Sequence, residues 1–151
     1  MLALLILAGQ DSTSPWVNHL VRNYGGGNIR LAGWLETVTP FYNQISLLVQ
    51  PSMTEAFGLE VLEAMAHGRP VLCSMGAGAA DVVPTSNQFQ AGNSDQLAEK
   101  IERNRTEPPT SPKYWQDLAK PYEWTKIREQ YANLWKECLA GNFSPACIRT
   151  I

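Results

Sequence analysis

Short apolar runs bounded by glycine or proline alternate along this chain with amphipathic stretches. Ala3 to Ala8 is apolar throughout, and Gly9-Gln10-Asp11 breaks the run. An unbroken apolar run of that length fits a parallel strand buried on both faces. After a turn over Gly9 to Thr13, Ser14 and Pro15 form a cap-plus-proline start for a helix to Tyr24, ended by Gly25-Gly26-Gly27. Ile29 to Ala32 reads as a second strand closed by Gly33-Trp34, and Thr39-Pro40 opens a short helix through Asn43 and Gln44. Leu47 to Gln50 is a third strand, stopped by Pro51-Ser52.

The pattern then repeats. A loop carrying Glu55, Phe57 and Gly58 leads into a helix from Leu59 to His67, with Gly68 as its left-handed cap and Pro70 barring continuation. Pro70 to Cys73 starts a fourth strand, Ser74 to Ala80 is a loop of small residues, and Asp81 to Val83 begins something short. Phe89 to Ala91 is a candidate fifth strand. Ser94 is placed as the cap of a helix whose apolar face carries Leu97, Ala98 and Ile101. A proline-rich loop from Arg105 to Pro112 precedes helical stretches at Trp115 to Ala119 and Thr125 to Leu139. Strands alternating with helices predict an α/β fold, a Rossmann-like parallel sheet flanked by helices. Ligands of such sheets bind beyond the carboxyl ends of the strands, which singles out the loops at Gly9, Gly33, Ser52 to Gly58 and Ser74 to Gly78 as one rim.

Composition narrows the partners. A chain of 151 residues holds one domain with a proper core and not two typical ones. The net charge of −2 and the scattered Lys and Arg exclude a broad nucleic-acid or anionic-membrane surface, so an anion site here must lean on backbone groups. Cys73, Cys138 and Cys147 form no CxxC pair and no metal-like cluster with the two histidines, a pattern that fits reduced thiols in a cytoplasmic protein. No metal and no cofactor is expected. The apolar N-terminus lacks a basic region and falls short of the ~20 residues a membrane helix requires, so no transmembrane segment is expected.

The chemistry concentrates between Pro51 and Val71. A strand end, a glycine-containing loop and a helix N-terminus together present free N–H groups and the positive end of a helix dipole, an anion site. Gly58 has no Cβ, so a phosphate or sugar can approach its backbone closely. The loop Gly76 to Ala80 offers further amides that could face the same ligand. Two such loops suit a diphosphate bearing hydroxyl-rich groups at both ends. Glu55 and Glu63 are candidate hydroxyl acceptors. Their spacing alone leaves a plainer reading standing, a loop charge and a solvated helix residue. A glycoside hydrolase pair would sit about 5–9.5 Å apart. On one helix, eight residues rise about 12 Å, so hydrolysis is disfavoured. Glu60, in the first turn of the helix, reads as a dipole-favourable surface glutamate, and His67 and His19 as ordinary helix residues. Trp16, Trp115, Trp124 and Trp135 read as core or domain-packing aromatics, Trp34 as plain burial or a stacking surface. Arg69 reads as a support for the Gly68 turn.

Pro51-Ser52, then Glu55-x-Phe57-Gly58-Leu59-Glu60, then Glu63-Ala64-Met65-Ala66-x-Gly68-Arg69-Pro70-Val71 resembles the Glu-x7-Glu signature of retaining GT-B glycosyltransferases of family 4, the glycosyl transferases group 1. The resemblance extends to Leu5–Gly9, Ile29–Leu35, Ser94–Ile101 and the stretch Tyr122-Glu123-Trp124-Thr125 through Tyr131, covering residues 2 to about 136. It implies the C-terminal half of a GT-B fold, with residues 1–136 as a nucleotide-sugar donor domain lacking its usual first strand and 137–151 as a tail. It also implies that Glu55 contacts hydroxyls of the transferred sugar, as the catalytic position, and that Glu63 binds the ribose. Backbone at Phe57, Gly58 and Leu59 would face the sugar and phosphates. Gly33, Trp34 and Leu35 would border the base, and Gly9, Ser74 and Gly78 would complete the donor contacts.

The departures are that the family's paired glycines read Ala77-Gly78, its following glutamate is Asp81, and its Gly-x-Gly after strand one reads Gly9-Gln10-Asp11. The sequence begins after the family's first donor-domain strand and its Arg…Lys pair, and after the N-terminal acceptor domain. The expectation is therefore the donor half of a retaining enzyme that moves sugar from a UDP- or GDP-sugar, inactive alone, with any membrane attachment residing in the absent half. A non-catalytic nucleotide-sugar-binding or scaffold protein working with a partner chain is the alternative, and a sugar epimerase on the same fold a third.

Overall fold

Four apolar runs of the sequence become hydrogen-bonded strands in a computed structural model, which describes residues 3–107 and 110–140. The elements are β1 (Leu5–Ala8), α1 (Pro15–Tyr24), β2 (Ile29–Gly33), α2 (Thr39–Gln44), β3 (Leu48–Gln50), α3 (Leu59–Ala66), β4 (Val71–Ser74), β5 (Gln88–Phe89), α4 (Ser94–Thr106), α5 (Pro112–Ala119) and α6 (Trp124–Leu139). Every strand pair is parallel, in two groups ordered β1-β2 and β3-β4-β5. The chain forms two compact units that divide between Phe41 and Tyr42. Cys147 and the rest of the expected tail beyond residue 140 lie outside the described residues.

In the first unit, Ser14 caps α1, its hydroxyl accepting from the Val17 amide at 3.3 Å, and Pro15 occupies the first helical position. The missing proline N–H costs nothing there, because no carbonyl precedes it to bond. β1 and β2 pair Leu5 with Ile29 through Leu7 with Leu31, and the register slips so that Ala8 faces Gly33. The expected burial of β1 on both faces is not met: Leu4 and Leu5 are 59% and 48% exposed. A two-stranded ladder and a single α-helix of ten residues do not cover both faces of a strand.

The second unit holds the core. β4, between β3 and β5, is buried at all four positions, as a strand with a neighbour on each edge and cover on each face requires. Val61, Ala64 and Met65 form the buried face of α3, and Trp115 of α5 is buried as well. The end of α3 is closed by a Schellman pair: the Gly68 amide donates to Met65 and the Arg69 amide to the Ala64 carbonyl. Arg69 also reaches past this turn, its guanidinium donating to the Asn43 carbonyl at 3.1 Å.

Asn93, not Ser94, caps α4, its side chain accepting from the Gln96 amide at 3.0 Å. Among the tryptophans expected to pack, only Trp115 is buried; Trp16, Trp124 and Trp135 are exposed. Trp124 and Trp135 stand on α6, where no residue is fully buried, and that helix ends at Leu139, as expected. Among the described residues no helix is long and apolar enough to cross a membrane.

Candidate functional site

The loop before α3 is pinned to the loop after β4 by backbone pairing. The Glu55 amide donates to Gly76, the Gly78 amide to Glu55 and the Ala79 amide to Phe57, giving a parallel bridge between Glu55 and Ala77. The two backbones approach so closely that a Cβ on Gly76 would stand 2.3 Å from the Met53 carbonyl oxygen, and one on Gly78 2.3 Å from that of Ala56. Only glycine permits that approach. This corrects the expectation for the second loop. The amides of Met75 to Ala80 all bond to the protein's own acceptors, so they do not form a row of donors facing a ligand. Ser74 is fully buried, and its hydroxyl accepts from the Gly76 amide at 3.0 Å, which shapes the loop from within.

The first loop keeps its donors. The amides of Phe57, Gly58, Leu59 and Glu60 find no acceptor among the described residues, and the first bond into α3 is from Val61 to the Gly58 carbonyl at 3.1 Å. Gly58 caps the helix at φ +95°, a left-handed conformation that side chains resist. Where its Cβ would be, the nearest atoms are Gln50 Nε2 at 3.1 Å and Glu55 Cγ at 3.5 Å. Glu55 therefore stands at the amide end of α3, as expected. Leu59 is exposed and Phe57 half-buried at the same end. Such a helix start, with unpaired N–H groups and the positive end of the dipole, attracts anions.

Along α3 the two remaining glutamates are held by residues that sequence reading passed over. Gln50, at the end of β3 and nearly buried, donates through Nε2 to Glu60 Oε1 at 2.5 Å. Glu60 is thus half-buried and bonded, not the plain surface charge expected. Tyr42, 3% exposed, donates its hydroxyl to Glu63 Oε2 at 2.8 Å. Its ring stacks on His67 at 5.0 Å between centroids, and His67 Nδ1 donates to the Glu63 carbonyl at 2.7 Å. Burial, the hydrogen bond to Glu63 and the nearby carboxylate charges all hold the Tyr42 hydroxyl far above its usual range. It remains a donor at any working pH. Burial, with Glu60 second, pushes the Cys73 thiol up to about 11. The one signal for Gln50 was a polar residue closing the apolar run Leu47 to Val49. Tyr42 lies 21 positions from Glu63, and nothing local announced it.

The first unit places Gly9 and Gly33 together, the Gly9 amide donating to the Gly33 carbonyl at 2.9 Å, and the Gly33 amide donating to the Ser12 hydroxyl at 3.0 Å. Trp34 is 72% exposed and Leu35 half-buried. Among the described residues no group of three His, Cys, Asp or Glu side chains is gathered as a metal site would need.

Parallel sheets flanked by helices, with a glycine-entered helix after the third strand, define a domain of the GT-B glycosyltransferase architecture, and solved structures bear this out. HepE of Anabaena, crystallised in complex with UDP, superposes with a TM-score of 0.77 at 20% identity, over 89% of this chain and 41% of that one. The glycosyl transferases group 1 family matches residues 2–105, and the chain belongs to that family. A sucrose synthase of Acidithiobacillus caldus is 30% identical over 100 residues, 56% of this chain and 12% of its own length. The sulfoquinovosyl transferase SQD2 of Arabidopsis thaliana is 31% identical over 138 residues, 80% of this chain and 27% of its own. The chain thus spans less than a third of either relative.

Proposed function

We propose that this chain carries the donor-binding part of a retaining glycosyltransferase of family 4, with residues 1–136 as the donor domain and a UDP- or GDP-sugar as donor. The observation that carries the reading is the amide end of α3, with four N–H groups lacking acceptors and Glu55 standing over Gly58. The donor diphosphate lies on those amides. They stabilise the negative charge that develops on the leaving diphosphate as the sugar departs, and being fixed in place they need no reorganisation to do so. Glu55 accepts from hydroxyls of the transferred sugar and orients it, without acting as a covalent nucleophile. Glu63 accepts from the ribose. HepE, which shares the fold, has been solved with UDP-glucose as well as UDP, which supports a nucleotide-sugar ligand. In the first unit, exposed Trp34 with Gly33 and Leu35 is proposed to contact the base, and Gly9 to add a backbone contact. Ser74 and Gly78 contribute by shaping the loop that holds Glu55.

Thermal shift with UDP, GDP, UDP-glucose and GDP-mannose tests the reading on the native chain and on Glu63→Ala. Stabilisation by one nucleotide class, diminished in the variant, is the expected result. Equal indifference of both proteins to all four ligands would overturn it.

A further inference from the structure

We propose that Tyr42 is a positioning residue of the donor site, holding the Glu63 carboxylate in the orientation that receives ribose hydroxyls. This rests on the reading of Glu63 given above and adds a residue to it. Glu63 lies on the exposed side of α3, where a glutamate ordinarily samples several rotamers. Here one carboxylate oxygen, Oε2, is taken by the Tyr42 hydroxyl at 2.8 Å. The other, Oε1, has no partner among the described residues and is left as an acceptor.

Tyr42 can impose this because it is itself fixed. Its ring is buried in the second unit and stacked on His67, and its hydroxyl also lies 3.4 Å from the Glu60 carbonyl oxygen. His67 in turn donates to the Glu63 carbonyl, so the glutamate is gripped at its backbone and at its side chain by two residues in contact with each other. With its proton held more tightly than in an ordinary tyrosine, the hydroxyl faces the carboxylate as a donor. Fixing an acceptor before the ligand arrives removes an ordering cost from binding.

The test uses the full chain and its Tyr42→Phe and Glu63→Ala variants. Phenylalanine keeps the ring, its burial and its stacking on His67, and deletes only the hydroxyl. Affinities are measured by calorimetry for UDP and 2′,3′-dideoxy-UDP, and for GDP and 2′,3′-dideoxy-GDP. The native chain should prefer the ribo form of its nucleotide, Glu63→Ala should abolish that preference, and Tyr42→Phe should reduce it by about 3–10-fold while leaving dideoxy affinity unchanged. A purely structural tyrosine would lower Tm without touching the ribo-to-dideoxy ratio. A native ratio in Tyr42→Phe, with the ratio lost in Glu63→Ala, overturns the role of Tyr42 alone. A native chain that ignores the ribose hydroxyls overturns the reading of Glu63 and the positioning role with it.

Discussion

The two units divide the labour of folding unequally. Every fully buried residue of the described chain falls at Tyr42 or beyond, whereas the unit ending at Phe41 has two paired strands and a well-capped helix but no buried side chain. Regular hydrogen-bonded strands and helices occur in both. The contrast separates what makes a backbone regular from what makes it stable: caps and ladders set the shape of β1, α1 and β2, while burial of apolar side chains supplies the dominant favourable term. The unit with the core is also the one that carries the Glu55 to Glu63 site. Hydrogen exchange should show it directly, with β4 amides opening only on global unfolding and β1 amides through local opening. Equal protection of the two strands would erase the distinction.

The largest effect expected is in the second unit. Trp115→Ala removes a side chain that is 1% exposed and should cost about 3–5 kcal/mol in urea unfolding, against roughly 1 kcal/mol or less for Leu5→Ala, which starts half exposed. A comparable loss from the two would mean that β1 is anchored as firmly as α5. Next comes pH. The ordinary thiol value is 9.0 and Cys73 is pushed to about 11 when folded, so the unfolded chain loses that proton first. The thiol's contribution is complete below about pH 9 and declines as pH climbs toward about 11, by about 2 kcal/mol. Tyr42 acts in the same sense, so the thiol's share is the difference between the native and Cys73→Ala stability curves; coincident curves would refute it.

Gly58→Ala should cost about 1–2 kcal/mol, because its φ of +95° disfavours any Cβ and Gln50 Nε2 stands 3.1 Å from where one would sit. An unchanged midpoint would show that the loop relaxes without penalty. The smallest effect is Asp117→Asn on the exposed start of the C-terminal region. Bonds to Lys120 and Lys113 hold that carboxyl below its usual range, yet all three are solvated, so no measurable change in unfolding midpoint is expected.

What could be read from the sequence was what local chemistry decides. Serine-proline and glycine boundaries placed α1 from Pro15 to Tyr24 and the end of α3 at Gly68 with little error, since caps act within a few residues. Asn93 displaced Ser94 as a cap because two capping side chains stood side by side and sequence alone does not say which adopts the extended conformation. The tryptophans failed for the opposite reason. Hydrophobicity tells how much a residue would gain from burial, not whether another element arrives to cover it, and for Trp16, Trp124 and Trp135 no cover is present among the described residues. In the site, the helix start and Glu55 were legible from one contiguous segment. Tyr42, Gln50 and the self-bonded amides of the Gly76–Ala80 loop were not, because each depends on a partner in another element.

The glycine-mediated clasp between the Glu55 and Ala77 backbones sets a rule for redesign. Anyone transplanting residues 52–58 from a relative would carry over half of an interlocking pair. Three main-chain bonds and two clash-free glycine approaches belong to residues 76–79, so the two segments form one exchangeable cassette and should be moved together.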